Sequence, residues 1–353
     1  MNKFFNLARK EIQELEAYIP AKKEAKIIVN ANENNWGAPR EVYDEICRAA
    51  ANAKRYPDST NTQLRKLLAK CFELSAENFI ISNGLDGFFT MFSRAFLSQG
   101  DDVLVSDCTF SVYALNAKIA GSSVIIVPVR EDFSQNLDDY YSRITPNTKA
   151  IFFCNPNNPT GLAVPLCEIE KFLEKLPKNI LFILDEAYIE FSDVKQDASY
   201  KLLEKFDNLI ICRTCSKICA LAGLRIGYSA MHEDLAKIIS FVRETYCVSE
   251  VAEAAAKASF SMKNMIQTVR SKVKTGRKML EKTLEEKAIR FIPSCTNFVY
   301  ILPTPEENEK LRKIFESYSI AARFWKFHER ETIRVTIGTE DEMVKIVSAI
   351  QNA

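Results

Sequence analysis

Three short polar segments, each directly behind an apolar run, hold the side chains of this sequence that could do chemistry together. Asn157-Asn158-Pro159-Thr160-Gly161 follows Ile151-Phe152-Phe153, and Asp185-Glu186-Ala187-Tyr188 ends the run Ile180–Leu184. Thr214-Cys215-Ser216-Lys217 follows Leu209–Cys212 and leads into Gly223-Leu224-Arg225-Ile226-Gly227. One lysine, one acid and one amide so placed could hold an electron-withdrawing aldehyde and use it on amines. Ser216 precedes Lys217 and Ile218, Ala220 and Leu221 follow it; a lysine partly desolvated near cations has a lowered pKa and forms a Schiff base. Asp185 closes a buried strand, where a carboxylate is costly unless paired. A protonated pyridine nitrogen suits it, and the pairing raises that nitrogen's pKa by roughly 1–3 units. At Asn83-Gly84-Leu85-Asp86 a strand passes through glycine into a helix, whose free N–H groups can cradle a phosphate. Ser216 and Arg225 could add a hydroxyl and a guanidinium to the same anion. Taken singly, each segment has a plain alternative: a capped turn at Gly84, a structural ion pair at Asp185, a solvated lysine at 217. Together they share one property, that each comes just after a predicted strand, where open α/β sheets bind their ligands.

The elements that must position these residues alternate. Phe79-Ile80-Ile81 reads as a strand followed by a helix from Asp86 to Leu97 that Gly100 closes, and Val103-Leu104-Val105 as a strand followed by a helix from Thr109 to Ala120. Val124–Val127, Ala150–Phe153, Ile180–Leu184 and Leu209–Cys212 are apolar runs without period-2 alternation, the pattern of buried strands with helices on both faces. A helix starting near Pro165 runs to Leu176. The alternation argues for a mainly parallel α/β layer structure. From about residue 233 the pattern changes to long helical stretches, Asp234–Phe260 and Met262–Lys287. Strands at Asn297–Leu302 and Thr332–Ile337 then flank a helix over Glu306–Tyr318. The expected organisation is an N-terminal segment (1–35) packing with a small unit, a large domain (36–235), and a small C-terminal α+β domain with an interdomain helix (236–353).

The bulk numbers exclude several classes. The chain has 353 residues, 47% hydrophobic and 26% charged, as expected of a globular enzyme. A net charge of +1 offers no basic field for nucleic acid or an anionic membrane. No run approaches ~18 apolar residues, so no membrane span is expected, and the opening Met1–Asn6 has no apolar secretory core. Ten scattered cysteines in apolar contexts suit buried thiols of a cytoplasmic protein. Cys212, Cys215 and Cys219 have a spacing that could ligate iron–sulfur or zinc, but with two histidines in the chain and no evident fourth ligand they read as small residues at a strand-to-helix turn.

With these residues in view, the chain resembles the fold-type I aminotransferases that use pyridoxal 5′-phosphate, and among them the histidinol-phosphate aminotransferases. The likeness runs through Ala17-Tyr18-Ile19-Pro20, Ala31-Asn32-Glu33-Asn34, Arg55-Tyr56-Pro57-Asp58, the segments already quoted, and Arg334-Val335-Thr336-Ile337-Gly338. It implies a three-layer large domain on a mainly parallel sheet plus a smaller α+β domain. It implies that Lys217 carries the cofactor and moves a proton between substrate Cα and cofactor C4′, while Asp185 pairs with the pyridine nitrogen. Asn158 and Tyr188 would hold the phenolic oxygen, and Phe110 would stack on the ring, contributing about 0.5–1.5 kcal/mol beyond burial. Gly84, Leu85, Asp86, Thr214, Ser216 and Arg225 would surround the phosphate, with Tyr56 reaching it from a neighbouring subunit, which implies a homodimer. Arg334 would take the substrate's carboxylate or phosphate, Arg323 the distal anion, and Tyr18 and Asn32 would line the pocket. The implied reaction moves an amino group from histidinol phosphate to 2-oxoglutarate. Rivals on the same scaffold are a threonine-phosphate decarboxylase and an aromatic amino-acid aminotransferase; a non-catalytic regulator would need a DNA-binding domain for which 353 residues leave no room. Two departures stand out: Leu85-Asp86-Gly87 after Gly84, and the aromatic run Phe324-Trp325-Lys326-Phe327-His328 after Arg323.

Overall fold

In a computed structural model, which describes residues 4–13, 15, 24–193, 198–262 and 264–352, the chain forms strands β1 (Ile27–Ile28), β2 (Phe79–Ser82), β3 (Asp102–Ser106), β4 (Ser123–Val127), β5 (Thr148–Cys154), β6 (Leu181–Asp185), β7 (Leu209–Thr214), β8 (Gly227–Met231), β9 (Phe291–Ile292), β10 (Phe298–Ile301), β11 (Ile320–Ala321), β12 (Arg323–Phe327) and β13 (Arg330–Thr336). Strands β2 to β8 make one seven-stranded sheet in the order β2-β8-β7-β6-β5-β3-β4. The neighbours from β7 to β4 are parallel, and β8 runs against both β7 and β2. The apolar runs of β5, β6 and β7 are wholly buried, as their continuous hydrophobicity demands.

Two readings need correction here. The run at β4 is not a buried strand: it lies on the sheet edge beside β3 alone, and Ile126 is 47% exposed. The stretch Asp234–Phe260 is not one helix. It forms Glu233–Ser240 and Glu250–Ser261, with Tyr246 at φ +60° between them and Ser249 capping the second through its hydroxyl. Strand β8 gave no sequence signal because Gly227-Tyr228-Ser229-Ala230-Met231 has no apolar run, yet it is buried throughout.

The C-terminal part builds a four-stranded antiparallel sheet in the order β12-β13-β10-β9, backed on β13 by helix Pro305–Ser317, against which helix Glu340–Gln351 packs. Thr304 and Thr339 each close a reciprocal capping box at the start of these helices. Residues 27–35 form a strap between the two sheets. Strand β1 pairs in parallel with β11, and further along Asn32 N–H donates to Thr336 Oγ1 at 3.0 Å. A second, smaller apolar cluster of Cys108, Phe133, Ile292 and Tyr300 joins the loops behind the large sheet to the small one.

Candidate active site

Parallel register brings the polar segments to one edge. Asp185 at the end of β6 pairs in register with Cys154 of β5 and Cys212 of β7. The loops after β5, β6 and β7 therefore open side by side, with the start of helix Gly84–Phe96 against β8.

Asp185 is 3% exposed. Its Oδ1 accepts the Ala187 N–H at 2.9 Å and its Oδ2 accepts the Tyr113 hydroxyl at 2.5 Å. Burial raises its pKa to about 6 against the lowering effect of those two donors. Lys217 lies in the hairpin between β7 and β8, which closes through Cys215 N–H to Ile226 O and Leu221 N–H to Cys215 O. Its Nζ donates to Ala31 O at 3.0 Å and stands 5.8 Å from the Tyr188 ring centre. Desolvation first, then the Arg334 guanidinium and more weakly Arg225, lower its pKa to about 8, with Glu33 and Asp86 opposing.

Tyr188 is buried, and its hydroxyl accepts from Asn32 Nδ2 at 2.9 Å; burial pushes its pKa upward. Asn158 Oδ1 accepts from Arg334 Nη1 at 2.5 Å, while Arg334 Nη2 donates to Asn30 O at 3.0 Å. Arg225, at φ +53°, turns its guanidinium back over the start of helix Gly84–Phe96. There it meets Asp86 at 3.4 Å and Ser216 Oγ at 3.4 Å. Gly84 has φ +68°, where a side chain is strained, and a Cβ on it would lie 2.5 Å from Arg225 Nη2 and push that guanidinium aside, so glycine suits the cradle. Thr214 Oγ1 accepts the Ser216 N–H at 3.1 Å, which sets the direction of the Ser216 loop. Leu85 is buried beside them. Phe110 is half-buried in the loop after β3 and meets Tyr113 edge-on at 5.6 Å.

Arg323 and Arg334 face each other in the β12–β13 ladder, so both side chains leave the same face of the small sheet. Arg334 is tied to Asn158, whereas the Arg323 side chain has no hydrogen-bond or ion-pair partner among the described residues. Tyr56 does not enter this site in its own chain: it is 82% exposed and stacks on Tyr246 at 4.7 Å. Tyr18 lies outside the described residues.

The family model "Aminotransferase class I and II" matches residues 24–350. The chain belongs to the class I and II aminotransferases. This aminotransferase is 33% identical over 322 residues to a histidinol-phosphate aminotransferase of Brevibacillus brevis, covering 91% of this chain and 88% of that one. It is 31% identical over 344 residues to histidinol-phosphate aminotransferase 2 of Pasteurella multocida, covering 97% and 93%. Its fold superposes with a TM-score of 0.88 on the crystal structure of histidinol-phosphate aminotransferase from Sinorhizobium meliloti in complex with pyridoxal-5′-phosphate, at 24% identity over 97% of this chain and 96% of that one.

The aminotransferase carries out pyridoxal 5′-phosphate-dependent transamination. That cofactor supplies an aldehyde that bonds amines and a ring that draws electrons from their α-carbon. The donors present suit it: backbone N–H groups, a hydroxyl and a guanidinium around Gly84 for a phosphate dianion, and a buried carboxylate for a protonated ring nitrogen.

Several residues at this site carried no sequence signal. Tyr113 bonds the acid, yet it stands three positions after Phe110 as one more apolar residue of its helix. Asn157 lies in a motif the sequence flagged, but its task did not show there: 1% exposed, it accepts from Thr109 Oγ1 and donates to Cys108 O, both at 2.8 Å, which anchors the loop bearing Phe110. Ala31 and Asn30 offer Lys217 and Arg334 their carbonyl oxygens, which no side-chain motif can announce. Cys212, Cys215 and Cys219 are buried free thiols. No group of His, Cys, Asp and Glu among the described residues is placed to hold a metal ion.

Proposed function

We propose that this aminotransferase moves the amino group of histidinol phosphate to 2-oxoglutarate, giving imidazole acetol phosphate and glutamate, and that it does so as a cytoplasmic homodimer of chains divided at about residues 35 and 235. The observation that carries the substrate reading is the pair of arginines on one face of the small sheet, with Arg334 engaged and Arg323 without a partner. A substrate with a second anion gives Arg323 a counter-charge, and Trp325 and Tyr300, stacked at 5.4 Å on the same face, offer a flat apolar wall to a ring. That wall also favours a second reading, an aromatic amino acid as amino donor. No helix among the described residues is long and apolar enough to cross a membrane.

In this reading Lys217 Nζ would bond the cofactor's aldehyde and, as a free amine, would move the proton at the substrate's Cα. Its lowered pKa leaves a useful fraction as free amine near neutrality. Asp185 keeps the ring nitrogen protonated, and Asn158 and Tyr188 bind the phenolic oxygen. Phe110 covers the ring face. Gly84, Leu85, Asp86, Thr214, Ser216 and Arg225 hold the phosphate, to which Tyr56 of a second copy adds its hydroxyl. Asn32 and Tyr18 orient the substrate. The outward-facing Tyr56 is consistent with such service to a neighbour.

Offering histidinol phosphate, phenylalanine and threonine phosphate in turn with 2-oxoglutarate, and following glutamate and carbon dioxide, tests the assignment. Glutamate from histidinol phosphate at the highest kcat/KM is expected; carbon dioxide from threonine phosphate would sink it. Arg323→Ala is expected to lower kcat/KM for histidinol phosphate by roughly 10- to 100-fold, the size of one charge-assisted hydrogen bond, and for phenylalanine by no more than about 3-fold. Equal losses on both donors would refute the distal-anion role. Gly84→Ala is expected to displace Arg225 and weaken cofactor affinity about 10-fold or more at an unchanged ring environment, read by fluorescence titration of the apoprotein.

A further inference from the structure

Tyr113 touches both the acid and the ring-covering residue proposed to hold the cofactor. Its hydroxyl donates to Asp185 Oδ2 at 2.5 Å, and its ring meets Phe110 edge-on at 5.6 Å and 85°. The ring is itself clamped. It stacks on Phe152 at 5.0 Å, Phe89 meets it edge-on at 5.1 Å, and its exposure is 0%. A side chain fixed on three sides holds its hydroxyl in one place, so the bond to Asp185 costs little further ordering entropy.

The surroundings of Asp185 otherwise resist its charge. Asp86 and Glu186 add like charge. Cys154 on β5 and Cys212 on β7 stay protonated thiols, and the buried Tyr188 phenol stays protonated too. Against these stand two donors, the Ala187 N–H and the Tyr113 hydroxyl. The first belongs to the backbone and is common to any residue at 187. The second is a choice of side chain.

We propose that Tyr113 is a positioning residue for this aminotransferase: its hydroxyl keeps the Asp185 carboxylate ionised and turned toward the ring nitrogen, and its edge sets the tilt of Phe110. This rests on Asp185 being the partner of that nitrogen. Tyr113→Phe removes one oxygen and leaves the aromatic packing in place, so it separates the hydroxyl's effect from the ring's.

The test begins on the apoprotein with carbon-13-labelled aspartate carboxyls. The Asp185 signal, assigned by its loss in Asp185→Asn, is followed with pH. In Tyr113→Phe its midpoint is expected to rise by about one pH unit or more, since a hydrogen bond to a charged group carries that much. A 3,5-difluorotyrosine at 113, a stronger donor of the same shape, is expected to move the midpoint the other way, and it keeps the test open should Tyr113→Phe fail to fold. In the holoenzyme, Tyr113→Phe is expected to lower kcat about 10-fold at pH 7 with the donor's KM within about 2-fold. A midpoint that moves in neither variant overturns the proposal. So does a midpoint that moves without any change in turnover. Near-normal turnover in Asp185→Asn would instead sink the cofactor reading itself, whatever Tyr113→Phe does.

Discussion

Lys217→Ala is expected to abolish the absorbance band of the lysine-bound cofactor and to cut transamination by roughly 10⁴-fold or more, because one amine serves both as attachment point and as proton carrier. The cofactor should still bind, since the phosphate cradle proposed for Gly84, Ser216 and Arg225 does not involve residue 217. A band that survives the substitution would remove Lys217 from its role. The pH dependence has a definite sign. A lysine lowered to about 8 is protonated below that pH and a free nucleophile above it. The rate at which apoprotein takes up cofactor is therefore expected to climb from pH 6 to about 8 and then level off, rather than climbing toward the ordinary lysine range. Arg334→Ala removes the strongest cation acting on Lys217 and should move that plateau to higher pH.

Asp185→Asn is expected to leave the cofactor bound but to lower kcat on the order of 10³-fold, because an amide cannot stabilise a protonated ring nitrogen and the electron sink weakens. The variant offers a second readout. Asp185 has a pKa of about 6 when folded, above its unfolded value of 3.8. Its contribution to stability is present below the unfolded value and is lost as the pH rises through about 6. At pH 7 the apoprotein carries a buried charge, so the apo form of Asp185→Asn should melt at or above the wild-type temperature, an advantage that fades toward pH 4. An apo variant that melts well below wild type at pH 7 would contradict the burial argument. Near-normal turnover would contradict the catalytic one.

The sequence was most legible where a polar motif directly follows a buried strand. Asp185, Lys217 and Asn158 sit on such ends, and parallel register alone brings them together. Gly84 was legible for a related reason: a left-handed turn into a helix leaves few alternatives to glycine. Strand β8 was not, because a strand buried between two neighbours can be built of small and polar residues once its hydrogen bonds are all satisfied by them. The break at residues 241–249 was hidden for the opposite reason, since an amphipathic segment precedes it, an alanine-rich helix former follows it, and the interruption contains no proline or glycine. Tyr113 could not be singled out, because an inward-facing tyrosine on a short, mostly apolar helix looks the same whether or not its hydroxyl bonds an acid. The pairing of Arg323 with Arg334 needed the hairpin register, which a one-residue slip would have reversed.

The strap from residue 27 to residue 35 sets a timetable for synthesis. Lys26 N–H meets Ser319 Oγ across 293 residues, and Asn32 meets Thr336 across 304. Their partners at residues 319–336 leave the ribosome only after almost the whole polypeptide has followed them. The large sheet draws its strands from residues 79 to 231 and can assemble before then. The carbonyl of Ala31 and the amide of Asn32, which hold Lys217 and Tyr188, are delivered last. A nascent chain halted near residue 310 would thus display a formed Asp185 and Arg225 beside an unanchored lysine, so competence for chemistry arrives in one late step.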